Sequence, residues 1–252
     1  MLVELGGFEL RSYGAFGALG FLVATFLGLR YAARRGWSRD AVIDLIFWSS
    51  LAGILGARLL YLAQNPGSFS LLHVFDLRTG GMVFYGGPML GVPVFLAVAR
   101  WRALPVAGVL DGLGIFAPLA HAFARVGCVL AGCCYGAPTE LPWGIVYDHP
   151  LSLAPQHVGV HPVQLYESAG LLGISALAAW WDGRKAWDGQ TGLMWLGGYA
   201  GLRFFLEVFR GDPERYFVGP LSTSQAIALG VGGLVAVVWT VISRRQRTAA
   251  PS

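Results

Sequence analysis

Charge is what this sequence has least of. Only 13% of its 252 residues are charged while 55% are hydrophobic. That is too little charge to cover a soluble globule of this size, so a water-soluble protein is excluded. No long polar segment interrupts the apolar runs, which argues against an appended soluble domain or two domains joined by a linker. No short internal repeat is present, and the first apolar run follows Glu4 and Glu9 where a secretory leader would carry positive charge. That run is therefore expected to be retained and not cleaved. Cysteine is scarce too: Cys128, Cys133 and Cys134 are the whole complement.

What is present is apolar sequence of membrane-spanning length. A hydrocarbon core about 30 Å thick needs about 20 apolar residues of helix. Seven such stretches are expected, near 13–33, 41–63, 84–101, 105–126, 162–181, 190–210 and 221–243, the third shortened by Pro88 and Pro93. The fold class is an all-α polytopic membrane protein forming a single domain over 1–252. Basic residues recur in alternate connections: Arg30, Arg34, Arg35 and Arg39; Arg100 and Arg102; Arg184 and Lys185; then Arg244, Arg245 and Arg247 in the tail 244–252. The positive-inside rule makes that side cytoplasmic, together with the C-terminus, and puts the N-terminus and the 127–161 segment outside. The net charge of +4 follows from topology and attraction to anionic lipid, so no nucleic-acid partner is implied.

Charges left within the spans carry more information. A charged side chain at mid-membrane costs about 2.5–3.5 kcal/mol on insertion scales, so it needs a partner or a polar cavity. Arg58, Arg125 and the run "GYAGLRFFLEVFRGDP" are the cases here. In that run Tyr199, Arg203, Glu207 and Arg210 are spaced to stack on one helix face. One reading is an ion-pair network that locks helices together. The other is an anion site, because guanidinium forks match phosphate oxygens, and three arginine-bearing spans favour it. "RTGGMVFYGGPMLG" places Gly86 and Gly87 beside Tyr85, where backbone can approach a ligand closely. "GVHPVQLYES" opens a helix, with Gln164 and Glu167 one turn apart. A phosphate-binding cavity inside a membrane points to a phospholipid.

The sequence resembles the prolipoprotein diacylglyceryl transferases, bacterial enzymes that move diacylglycerol from phosphatidylglycerol onto the lipobox cysteine of exported lipoproteins. The likeness covers nearly the whole chain, in order: "SYGAFGALG", "GARLLY", "GGMVFYGG", "ARVG", "ELPWGIVY", "HPVQLYE", "GYAGLRFFLEVFR" and "LSTSQ". The resemblance implies that Arg125 and Arg203 are essential, binding lipid phosphate and stabilising the departing glycerol phosphate. It assigns Glu207 and Arg210 to the second arginine's motif, and it matches Tyr13, Gly14, Arg58, His161, Gln164, Tyr166, Glu167 and Tyr199. It implies no cofactor and no metal, with phosphatidylglycerol, prolipoproteins and membrane lipid as partners.

The departures fall in the reacting region. The family's histidine of "HGG" is Tyr85 here, its signature asparagine is Cys128, a usual glutamate is Cys133 and the leading glycine is Ala124. Tyrosine, with an ordinary pKa of about 10, is a poor base at neutral pH. His121, Arg125 and Cys128 share a helix face, which offers His121 as a substitute base or proton relay; the alternative is a histidine bonded between packed helices. For the cysteines several readings stay open. Cys128 beside an arginine is a candidate nucleophile, a disulfide would leave one thiol over, and Cys134 beside glycine suits tight packing. C-x4-C-C lacks the paired spacing of a structural zinc site, so no metal is expected. The Gly/Pro-rich stretch 136–161 reads equally as a lid or a static connector. Function is therefore expected to be diacylglyceryl transfer to a thiol; the alternative is a paralogue with another acceptor, or a lipid-binding or transport protein without chemistry.

Overall fold

The computed structural model describes residues 3–5, 8–10, 12–65, 74, 81–150, 152–211 and 217–249. Seven α-helices stand among them: α1 Ser12–Arg34, α2 Arg39–Gln64, α3 Gly86–Trp101, α4 Val106–Ala131, α5 Val163–Asp182, α6 Gln190–Leu206 and α7 Thr223–Ala249. Each coincides with one expected span. Four of these segments, Ser12–Arg34, Arg39–Gln64, Val106–Ala131 and Thr223–Gln246, are long and apolar enough to cross a membrane. Their outward faces remain apolar, as lipid requires: Leu22 and Phe26 on α1 and Leu234 and Val237 on α7 are exposed.

Two helix ends differ from expectation. Helix α4 runs to Ala131, not to residue 126, because its stop signal is Gly132 in the left-handed conformation (φ 66°); Cys128 is therefore helical and not part of the external loop. Helix α6 ends at Leu206 and tightens into a 3-10 turn over Glu207–Phe209, after which Arg210 is extended (φ −76°, ψ 141°). Arg210 thus leaves the helical stripe expected for Tyr199, Arg203 and Glu207, consistent with the helix-breaking "RGDP" that follows.

The chain falls into two compact units, 29–109 and 1–28 with 110–252. In the first, the core is small and aliphatic: Ala32, Ala41, Val42, Leu45, Val98 and Ala99 are buried against one another. Ser38 caps α2, its Oγ accepting from the Ala41 N–H at 3.4 Å. Helices α2 and α3 pack backbone to backbone at Gly56 and Gly86, where a Cβ on either would collide with the other's carbonyl oxygen. Arg102 pairs with Asp44 at 3.1 Å.

The second unit joins α4 to α5 through two buried hydroxyls, Ser168 donating to the Ala122 carbonyl (3.0 Å) and Ser175 to the Ile115 carbonyl (2.8 Å). Such bonds are efficient helix connectors in apolar surroundings. Asp111, fully buried, accepts from the N–H groups of Gly189 (2.8 Å), Thr191 (2.8 Å) and Gly192 (3.2 Å), so a carboxylate from α4 caps the start of α6. Between α4 and α5 the chain is mostly irregular, with short strands β1 Val3–Leu5 and β2 Phe8–Leu10 pairing elsewhere in the unit and β3 Ile145–Val146 pairing β4 Gly159–Val160 here. Its root is tied down: His161 donates to Ala137 (3.0 Å), Ala137 to Phe209 (2.8 Å) and Gly136 back to His161 (3.0 Å). These bonds anchor the two ends of the stretch to each other and to Phe209.

Candidate active site

Glu167 is the centre of the second unit's polar cluster, with its side chain only 1% exposed. The helix spacing anticipated on α4 brings His121 and Arg125 to it, while α6 contributes Tyr199. Arg125 meets the carboxylate side-on: Nε lies 3.0 Å from Oε2 and Nη2 donates to Oε1 at 3.0 Å. Tyr199 donates its hydroxyl to Oε1 at 3.1 Å. His121 Nε2 stands 3.7 Å from the same oxygen, and its ring meets Tyr199 edge-on at 5.5 Å. A buried carboxylate is tolerated because a fork and a phenol surround it.

A second ion pair lies farther along α6. Arg203 Nη1 is 2.7 Å from Glu207 Oε2, and Nη2 donates to Ser224 Oγ at 3.1 Å, so the opening of α7 helps hold this arginine. Ser224 belongs to "LSTSQ", where nothing in the sequence marks it as a partner of Arg203. His161 Nδ1 lies 3.3 Å from the Tyr166 hydroxyl, which also accepts from Trp143 Nε1 at 2.7 Å. Phe209 packs edge-on against both rings, at 5.4 Å from His161 and 6.1 Å from Tyr166. Trp143 comes from "ELPWGIVY", whose role as a clamp on Tyr166 the sequence did not disclose. Arg210 joins this region through its backbone, bridged to Gly136. Tyr13, half exposed, reaches α4 through backbone packing: a Cβ on Gly127 would meet its Cα at 2.9 Å.

The cysteines gather for a reason of helix geometry. At the end of α4 the Cys133 N–H bonds the Cys128 carbonyl (3.2 Å) and the Gly132 N–H bonds the Val129 carbonyl (3.1 Å). This is the Schellman closure, which sets the side chains of residues five apart against each other. Here those residues are Cys128 and Cys133. Cys134 follows in the left-handed region (φ 57°), and buried Gln164 fixes the turn by donating to the Cys133 carbonyl at 2.7 Å. The outcome is three free thiols whose sulfurs all lie within 4.8 Å of one another.

The remaining predicted residues belong to the 29–109 unit. Arg58, 2% exposed, donates from Nη1 to the Gly81 carbonyl at 2.9 Å and lies 5.5 Å over the Tyr61 ring. It braces the segment leading into α3. Gly86 is required for close packing on Gly56, whereas a Cβ on Gly87 would stand 3.5 Å from the Gly53 carbonyl, an ordinary contact, so helix packing accounts for the first glycine of the pair and not the second. Tyr85, 50% exposed, precedes α3 and stacks edge-on with Phe84 at 5.9 Å.

Comparison with known proteins finds relatives along nearly the whole chain. The family model described as prolipoprotein diacylglyceryl transferase matches residues 1–242. Phosphatidylglycerol-prolipoprotein diacylglyceryl transferase 2 of Clostridium perfringens is 33% identical over 98% of this chain and 98% of its own length. The corresponding transferases of Clostridium tetani and Bordetella avium are 33% and 32% identical, over 91% and 94% of this chain and 92% and 93% of theirs. Similarity of this extent makes the chain a member of the prolipoprotein diacylglyceryl transferase family.

Proposed function

We propose that this chain is a transferase that moves the diacylglyceryl group of phosphatidylglycerol onto the thiol of a prolipoprotein cysteine, releasing glycerol phosphate. The observation that carries the reading is the Arg125–Glu167 pair, held among His121 and Tyr199 in a bundle whose relatives bear that activity in their names. A guanidinium has five N–H donors, and Glu167 engages one edge of this one. The rest of the fork is suited to lipid phosphate. Arg203, braced by Glu207 and Ser224, would take the charge that develops on the departing glycerol phosphate. His121, within ion-pair distance of Glu167, is the side chain we assign to receive the acceptor's proton. Tyr13, Gln164, His161, Tyr166 and Arg210 would line the acceptor side.

The chain is a helical protein of the bacterial inner membrane. We assign it seven spans, with the N-terminus and the reacting groups outside, because the basic connections alternate along the sequence. A changed thiol acceptor is the second reading, favoured by Tyr85 and Cys128 at positions where the family carries histidine and asparagine. The deciding experiment expresses the chain in cells depleted of their own diacylglyceryl transferase and follows a reporter lipoprotein by gel shift. Restored lipidation, absent with Arg203→Ala, is the expected result. A membrane-inserted chain that yields no lipidated reporter would refute the prolipoprotein acceptor.

A further inference from the structure

We propose that Cys128, Cys133 and Cys134 form an open three-thiolate centre for a thiophilic divalent ion, zinc in the cell, whose fourth position receives the acceptor thiol. This rests on the transferase reading above and adds to His121 a second means of ionising the incoming sulfur. The Schellman turn sets Cys128 against Cys133, and the left-handed Cys134 completes the triangle, with all three sulfurs within 4.8 Å of one another. Zinc bound at about 2.3 Å holds tetrahedral sulfurs about 3.8 Å apart, so a contraction of about 1 Å, within the reach of side-chain rotation, closes the site. The paired-cysteine spacing that the sequence lacks belongs to closed four-ligand structural sites. Three protein ligands with one open position are the arrangement of catalytic sites.

The supporting shell is already built. Gln164 is buried and pins the Cys133 carbonyl, and Gly132 cannot carry a side chain without striking Ser152. Cys128 is buried while Cys133 and Cys134 are partly exposed, so the cluster has an inner ligand and an accessible face. Arg125 stands one turn before Cys128 on the same helix, which places a phosphate-binding side chain beside the thiol position.

The chemistry is an S-alkylation. The acceptor thiol enters the open position and its proton passes to solvent or to His121, because a coordinated thiol is held as thiolate. Its sulfur attacks the terminal glycerol carbon of the diacylglyceryl group. The carbon–sulfur bond forms, the carbon–oxygen bond to phosphate breaks, and the electron pair leaves on glycerol phosphate, facing arginine. The thioether product is neutral and a weaker ligand, so it departs.

The test loads the full-length chain, purified in detergent with reduced thiols, with cobalt(II) as a spectroscopic probe. About one ion per chain and a sulfur-to-cobalt charge-transfer band are expected. Cys133→Ser and Cys134→Ser should lose the band while eluting as the parent does, and Cys133→His should keep the ion with a shifted band. A cysteine-containing lipobox peptide should change the cobalt spectrum, and its serine version should not. Loss of the ion returns the acceptor to an ordinary thiol, about 3% ionised at pH 7 for a pKa of about 8.5, so lipidation should fall about 30-fold. A fully reduced chain that takes up no cobalt, or a band unchanged in Cys133→Ser, overturns the centre. Lipidation at the parental rate in a Cys133→Ser, Cys134→Ser double variant overturns its catalytic role and leaves the transferase intact. An intact cobalt spectrum and peptide response without any lipidation in cells would instead refute the transferase reading.

Discussion

Helix α4 carries two polar centres, about 20 Å apart along its axis, that use a buried carboxylate in opposite ways. At Asp111, three backbone N–H groups and Lys185 hold the carboxylate, and Lys185 also pairs with Asp182 and Asp188 at 3.0 Å each. At Glu167 the partners are all side chains: Arg125, Tyr199 and His121. Backbone donors cannot change partner without unwinding a helix. Side-chain donors can, and a site that admits a phosphate and releases it needs that freedom. On the proposed function the first centre is a lock and the second a working site, although both are buried ion pairs.

Substitution separates them. Asp111→Ala strands three N–H groups and leaves Lys185 with only Asp182 and Asp188, and should lower stability by about 3–5 kcal/mol, seen as an earlier thermal transition in detergent and reduced membrane yield. Lipidation per folded molecule should hold. Arg125→Ala should instead cost about 100- to 1,000-fold in lipidation, as loss of a preorganised donor to developing charge does. Arg125→Lys should recover little, because an ammonium cannot reproduce the fork. If Arg125→Ala lowers only the transition temperature and leaves the rate per folded molecule unchanged, both centres are locks and the comparison collapses. Tyr199→Phe refines it further. Removing one hydroxyl from Glu167 should slow lipidation about tenfold, within the worth of a hydrogen bond to a charged group.

How much of this was legible follows from where each signal resides. The seven helices were visible as long apolar runs, four of them of membrane-spanning length, and most of their ends fall within a few residues of expectation except where caps decide them. Gly132 and the turn after Leu206 are such caps: one extends α4 past Cys128, the other removes Arg210 from the helical face. The His121–Arg125–Cys128 face was readable from spacing alone. The cysteine triangle would have been readable had Gly132 been taken as the residue after the helix, since a C-x4-C pair then occupies the two positions the Schellman turn brings together. Asp111 left no local trace. It stands alone in an apolar run, and Lys185, 74 residues away, meets it only through packing.

The smallest effect expected concerns pH and the lock. Burial opposes the charge on Lys185, yet Asp111, Asp182 and Asp188 outweigh it and hold the ammonium above the ordinary lysine range. A raised lysine pKa means that the unfolded chain gives up its proton first. The lock's contribution is therefore complete below about pH 10.4 and declines as pH climbs through the higher folded value. The transition temperature lost in Lys185→Met should accordingly be constant from neutral pH to about 10 and shrink above it. Lipidation by the variant should show no matching alkaline change, because Lys185 serves the end of α4 remote from Glu167. A gap that narrows already below pH 9 would mean that Lys185 is not the cation that anchors Asp111, and the division between lock and working site would have to be drawn through other residues.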